Sequence, residues 1–190
     1  MKFLIAASTS LFLLHAVHAQ EGKLNFEFKA GTSAQWKTAT KDALSEVKDD
    51  KLVITPALQT DGTYRGDITS TTDITLNAGK YPIIAIKINK KAKPDMIFDT
   101  NIGAIKSGSK RIVQSDGYDV YYWDISTKPF QRASDPVFDF PKDAVVLKKI
   151  TFKYAAIKYD DAEISAAKIA YGIVWIKSFA SAEELKASLK

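Results

Sequence analysis

Tyr118-Asp119-Val120-Tyr121-Tyr122-Trp123-Asp124-Ile125 is the stretch whose reading decides the fold. Side chains of an extended chain alternate between two sides. Tyr118, Val120, Tyr122 and Asp124 therefore share one face, and Asp119, Tyr121, Trp123 and Ile125 the other. Both faces carry aromatic rings. A strand that is apolar on both sides is either covered on both sides or leaves one side to a ligand. Ser115-Asp116-Gly117, just ahead of it, has the composition of a turn.

The same alternation recurs outward from this stretch. Leu24, Phe26 and Phe28 project to one side of a first strand, and Lys51 to Thr55 follows the turn-prone Asp49-Asp50. Ile74 and Leu76 precede the turn Asn77-Ala78-Gly79-Lys80, after which Tyr81 to Asn89 puts Ile84, Ile86 and Ile88 on one face. Met96, Ile97 and Phe98 make a short strand after Lys93-Pro94-Asp95. Leu147 to Ile157 reads as one long strand and Lys168 to Phe179 as the last. Eight or more short strands separated by Gly, Asn, Asp and Pro predict an all-β fold, an antiparallel β-sandwich or a barrel. Helix signals are few. Ser33 to Lys48 has room for one short helical turn, and Ser181-Ala182-Glu183-Glu184-Leu185 is a capping-box pattern that predicts a C-terminal helix of about two turns.

The N-terminus has the form of an export signal. Lys2 gives a positive start, Phe3 to Leu14 an apolar run, and Val17-His18-Ala19 a cleavage site after Ala19. Residues 1–19 are thus expected to be a signal peptide and residues 20–190 a single domain. The product is expected to be secreted or extracellular, periplasmic in a Gram-negative source. No second apolar stretch of membrane-spanning length follows, so no membrane insertion is expected after cleavage. Both histidines, His15 and His18, lie in the signal, and the chain has no cysteine. Residues 20–190 therefore contain neither a Ser-His-Asp nor a Cys-His nucleophile, nor Cys or His ligands for zinc.

Losing Lys2 and no acidic residue lowers the net charge from +5 to +4. That mild, scattered excess is not a nucleic-acid footprint. Its densest run, Lys87-Ile88-Asn89-Lys90-Lys91-Ala92-Lys93, lies where a strand gives way to a turn. Glu21, Glu27, Glu46, Glu163, Glu183 and Glu184 show no spacing that aims two carboxylates into one groove, as hydrolysis of a glycoside requires. Phe98-Asp99-Thr100 starts like an aspartic-protease loop but continues with Asn101 in place of Gly. The expectation is a non-enzyme, a carboxylate- or Tyr-based polysaccharide hydrolase or lyase being the residual alternative. No cofactor is expected. Asp49-Asp50 and Asp160-Asp161 are the places where a structural calcium would find oxygen ligands.

Five segments carry a family resemblance together: Phe26 through Trp36, Tyr64-Arg65-Gly66-Asp67-Ile68, Tyr81 through Lys87, Tyr118-Asp119-Val120-Tyr121, and Ile173 through Phe179 with the Ser181 to Leu185 tail. They resemble a β-sandwich domain of unknown function from exported, polysaccharide-associated bacterial proteins. That family is similar in turn to galactose-binding-like jelly rolls, which include many carbohydrate-binding modules. The resemblance implies an antiparallel β-sandwich of jelly-roll, galactose-binding-like type and a polysaccharide or glycan as partner.

A sugar-binding face wants an exposed aromatic ring beside planar polar groups. On this basis Tyr121 and Trp123 are the expected stacking platforms, with Asp119, Tyr64, Arg65 and Asp67 as polar partners. Replacing Trp123 by Ala is then expected to abolish polysaccharide retention without altering thermal stability. Trp175, counted on a face with Tyr171, Ile173 and Phe179, is expected in the core, while Trp36 either plugs the sandwich end or projects. Arg65-Gly66-Asp67 spells a tripeptide that adhesion receptors read from exposed loop tips, a reading that burial of Gly66 would remove. The protein is expected to be a monomer. The rival function is an extracellular structural or adhesion domain without glycan affinity.

Overall fold

The computed structural model describes residues 22–29, 35–89, 97–105, 109–127, 129–153, 157–158 and 169–190. The expected export signal, Ser33, Lys90 to Lys93, Met96, Asp160-Asp161 and Lys168 lie outside the described residues.

The doubly apolar stretch becomes a strand of the larger of two main sheets, one in from its edge. That sheet comprises β1 (Asn25–Glu27), β3 (Leu44–Lys48), β4 (Lys51–Thr55), β9 (Ile83–Asn89), β12 (Lys110–Val113), β13 (Tyr118–Asp124) and β17 (Tyr171–Phe179). Its order is β12-β13-β9-β17-β4-β3, with β1 also against β17. The second sheet contains β2 (Trp36–Thr38), β7 (Ile68–Ser70), β10 (Ile97–Thr100), β11 (Ala104–Ile105) and β15 (Ile150–Lys153), in the order β11-β10-β15-β7-β2. Two small sheets accompany them: β8 (Ile74–Leu76) with β14 (Val145–Leu147), and β5 (Ala57–Leu58), β6 (Thr63–Arg65) and β16 (Ile157–Lys158) in the order β16-β6-β5. Every pairing is antiparallel.

The inner faces of the two main sheets pack on each other through aromatic rings. Trp123 lies 5.6 Å from Phe152 and 6.0 Å from Phe98, while Trp36 meets Phe26 edge-on at 5.4 Å. Ile84, Ile86 and Ile88 share this face as their alternation requires, and all three are buried. The fold is an antiparallel β-sandwich with a short C-terminal helix, α1 (Ala182–Ala187). Ser181 Oγ accepts from the Glu184 backbone N–H at 3.1 Å, and the Glu184 carboxylate accepts from the Ala180 N–H at 2.7 Å. The capping signal thus marks a real helix start, with the return bond shifted by one residue. Leu185 of α1 is buried with Ile83, Ala85, Val120, Tyr122 and Phe179, so one end of the larger sheet's outer face is covered.

Three sequence expectations change. Within Ser33 to Lys48, residues 36–38 and 44–48 are strands, because Trp36 is a core ring and Val47 packs against the core. The long strand Leu147 to Ile157 divides into three, since Leu147 pairs with β8 while Ile150 onward joins the second sheet. The third change concerns β17. Ile173 pairs with Ile88 but Trp175 pairs with Lys87, so Val174 is an inserted bulge residue. The bulge sits where the other neighbour of β17 changes from β4 to β1. Tyr171, Ile173 and Ile176 consequently face the core, whereas Trp175 and Phe179 turn to the opposite side. Trp175 is not a core partner of Tyr171 and Ile173.

Candidate glycan-binding face

The six side chains expected to form one site are divided between two places, and four of them are buried. The accessible surface of Trp123 is 0% and that of Tyr121 2%, because their side of β13 faces the second sheet. Neither presents a free ring face. Asp119 is also fully buried, and its carboxylate accepts from Arg111 Nε at 2.8 Å, from Arg111 Nη2, and from the Gln114 backbone N–H. Tyr64 and Arg65 lie on β6 of a small sheet. Arg65 Nε and Nη2 reach the same oxygen of Asp67 at 3.0 and 2.9 Å, and Asp67 is buried.

Gly66 is packed so tightly that an added Cβ would lie 2.9 Å from Ile54 Cγ2. The Tyr171 hydroxyl donates to the Gly66 carbonyl, and burial together with the Asp67 charge pushes the Tyr171 phenol well above its ordinary pKa. Arg65-Gly66-Asp67 is therefore a strand end whose two charges face each other, not a loop tip offered to a receptor.

Two partly exposed aromatic rings lie on the other side of the same sheet. The bulge at Val174 turns Trp175 outward, where it is half-buried between Lys87 of β9 and Glu27 of β1. Tyr118, opposite Asn89, is the next outward ring. From the strand spacing and the rise per residue, the two Cα atoms are separated by roughly 12 Å. Phe179 meets Trp175 edge-on at 6.2 Å and fixes the side of the indole nearest the helix.

Polar groups hold this face in shape. Asp116, in the turn before β13, accepts from the Tyr118 backbone N–H at 3.1 Å and bonds the Lys87 ammonium at 2.5 Å. Lys177 places its ammonium 5.7 Å from the Trp175 ring centre and bonds Glu27 at 2.6 Å. Lys51 reaches to 5.7 Å from the Tyr118 ring centre. The Lys87 and Lys177 ammonium groups hold the Asp116 and Glu27 carboxyls, respectively, below their ordinary pKa values. Both carboxyls are therefore ionised at neutral pH, and neither is poised as the protonated acid that glycoside cleavage needs. The face thus carries two partly exposed rings, each with a lysine ammonium over it, beside the carboxylates of Asp116 and Glu27.

The signal that sequence reasoning missed is in β17 itself. Ile173-Val174-Trp175-Ile176 places core-type isoleucines three apart, which strict alternation does not allow and a single inserted residue does.

Among the described residues, no helix is long and apolar enough to cross a membrane, and no three His, Cys, Asp or Glu residues lie together as metal ligands. Two solved structures are similar to this chain. One is a low-affinity xylan-binding module, CBM86, from the xylanolytic gut symbiont Roseburia intestinalis, 12% identical with a TM-score of 0.41, covering 85% of this chain and 98% of that one. The other is a family 29 carbohydrate-binding module from Piromyces equi, 13% identical with a TM-score of 0.35, covering 88% and 95%. No curated protein matches the sequence. Residues 22–185 match the family described as domain of unknown function DUF4979, and the chain belongs to that family.

Proposed function

We propose that this is an exported, non-catalytic glycan-binding module, acting as a monomer, whose ligand lies across the outer face of the larger sheet. Trp175 and Tyr118 are the stacking rings, and Lys87, Asn89 and Lys177 donate to sugar hydroxyls. The observation that carries this reading is the outward turn of Trp175 by the Val174 bulge, which puts a half-buried indole on a sheet face already bearing Tyr118. Residues whose Cα atoms lie about 12 Å apart suit a ligand longer than one pyranose unit, so an oligosaccharide binds better than its monomer. Native affinity electrophoresis through gels containing neutral and acidic polysaccharides tests this. Retardation that Trp175→Ala removes supports the reading; equal mobility of both proteins in every gel rejects it.

Leu44, exposed on the outer side of edge strand β3, favours the second reading, a protein-interaction domain. Self-association that rises with concentration, without retardation on any glycan, is its signature.

A further inference from the structure

The β12 residues on the inner side of the β12–β13 ribbon are less covered than their β13 partners. Arg111 pairs with Tyr121 and Val113 with Asp119, which assigns both β12 residues to the inner face. Yet the Arg111 side chain is 49% exposed and Val113 66%, while Asp119 and Tyr121 beside them are covered. On the inner side of this edge strand Arg111 and Val113 are thus left open beside the covered Asp119 and Tyr121.

The Arg111 guanidinium is fixed there. Its Nε and Nη2 both donate to one oxygen of Asp119, and the other Asp119 oxygen accepts from the Gln114 backbone N–H at 3.2 Å. A guanidinium has five N–H donors, of which Asp119 takes two. The remaining three have no partner among the described residues, and half of the side chain is exposed. Arg111 has thus already lost its rotamer freedom and presents a rigid donor edge, which lowers the entropic cost of docking a planar acceptor. The buried Asp119 charge weakens the site without cancelling it. An incoming carboxylate sits roughly 4 Å from the guanidinium and nearly twice as far from Asp119, so attraction exceeds repulsion. Val113 supplies an apolar contact next to the donor edge.

We propose that Arg111 is a second binding site, taking the carboxylate of an acidic sugar unit such as a uronate, with Asp119 as the positioning residue that aims it. The glycan reading of the outer face supplies only the expectation that the carboxylate is borne by a sugar; the anion contact stands apart from Trp175.

The test is protein-observed NMR on the labelled chain, following the Arg111 Nε–Hε and Gln114 amide signals during addition of D-glucuronate, D-glucose or acetate. The expected result is a saturable shift with glucuronate, none with glucose, and at least tenfold weaker saturation with acetate. In Arg111→Lys, which keeps the charge but loses the fork, the Gln114 response to glucuronate weakens at least tenfold. The double variant Arg111→Gln with Asp119→Asn, which leaves no buried charge, gives the same loss should Arg111→Lys fold poorly. No shift with glucuronate, or equal responses to glucuronate and acetate, overturns the proposal. Failure of the outer-face reading is distinct, because it shows as retention on glycans that Trp175→Ala does not change.

Discussion

Lys51 crosses the sheet to reach Tyr118 by lying over Gly172. A Cβ added to Gly172 would meet Lys51 Cδ at 3.3 Å and Cβ at 3.6 Å, and the ammonium ends 5.7 Å from the Tyr118 ring centre. The glycine keeps a path open on a sheet face, so two strands that are not neighbours share a polar contact.

Gly172→Ala is expected to lift Lys51 from this path and separate it from Tyr118. The fold tolerates the change, because the nearest contacts are a flexible side chain. The expected outcome is a thermal midpoint within a few degrees of the parent protein. Glycan retention should weaken by a small factor, similar to that of Lys51→Gln. A loss of retention as complete as that of Trp175→Ala would show that the backbone of the face had moved.

Trp123→Ala is expected to destabilise the protein severely, contrary to the expectation that its ring is a sugar-stacking platform. The ring packs on Phe98 and Phe152 with no surface exposed. Removing a buried Trp costs about 3–5 kcal/mol. At roughly 2–4 °C per kcal/mol for a domain of this size, the midpoint should fall by about 10 °C. Thermal unfolding followed by near-ultraviolet circular dichroism gives the answer, and an unchanged midpoint would mean that the ring is not core.

Much of this architecture is legible in the residues, and what is not has a definite physical origin. Period-two patterning locates Lys51 to Thr55, Tyr118 to Asp124 and the Ile84, Ile86, Ile88 face. Asp49 and Asp50 each adopt positive φ, 51° and 55°, in the two-residue turn between β3 and β4, as a primed hairpin turn requires. Alternation separates the sides of β13 correctly but does not say which side meets the second sheet. That choice decides whether Trp123 or Tyr118 is outside, and it depends on rings such as Phe98 and Phe152, far away in sequence. For β17 alternation itself fails at Val174, and every residue beyond the bulge changes side.

Acid should loosen the outer face before it unfolds the core. Asp116 and Glu27 have folded pKa values below their ordinary values, held there by Lys87 and Lys177. For carboxyls lowered on folding, the stabilising contribution is present above the unfolded pKa and is lost as pH falls through the folded one. Carboxyl carbon NMR titration is therefore expected to give midpoints below 3.8 for Asp116 and below 4.5 for Glu27. Lys87→Gln should raise the Asp116 midpoint and leave that of Glu27 in place. Both carboxylates are about half exposed, so solvent screens the pairs and the thermal midpoint changes little across this window.

Ser181→Ala tests the helix that limits the face. It removes the acceptor for the Glu184 N–H and is expected to cost about 1 kcal/mol. Amide exchange in residues 182–187 should accelerate, and Phe179, which packs with Leu185, should report the change. Unchanged exchange would show that Leu185 burial alone holds the helix.

Retention of the parent protein and of Trp175→Ala, run side by side in native gels containing a panel of neutral and acidic polysaccharides, tests the central claim most directly. The account predicts retardation of the parent on at least one glycan, and its loss in Trp175→Ala with the thermal midpoint nearly preserved, because the indole is only half-buried. Retardation that survives Trp175→Ala unchanged, or a parent protein that no glycan retards, would contradict it.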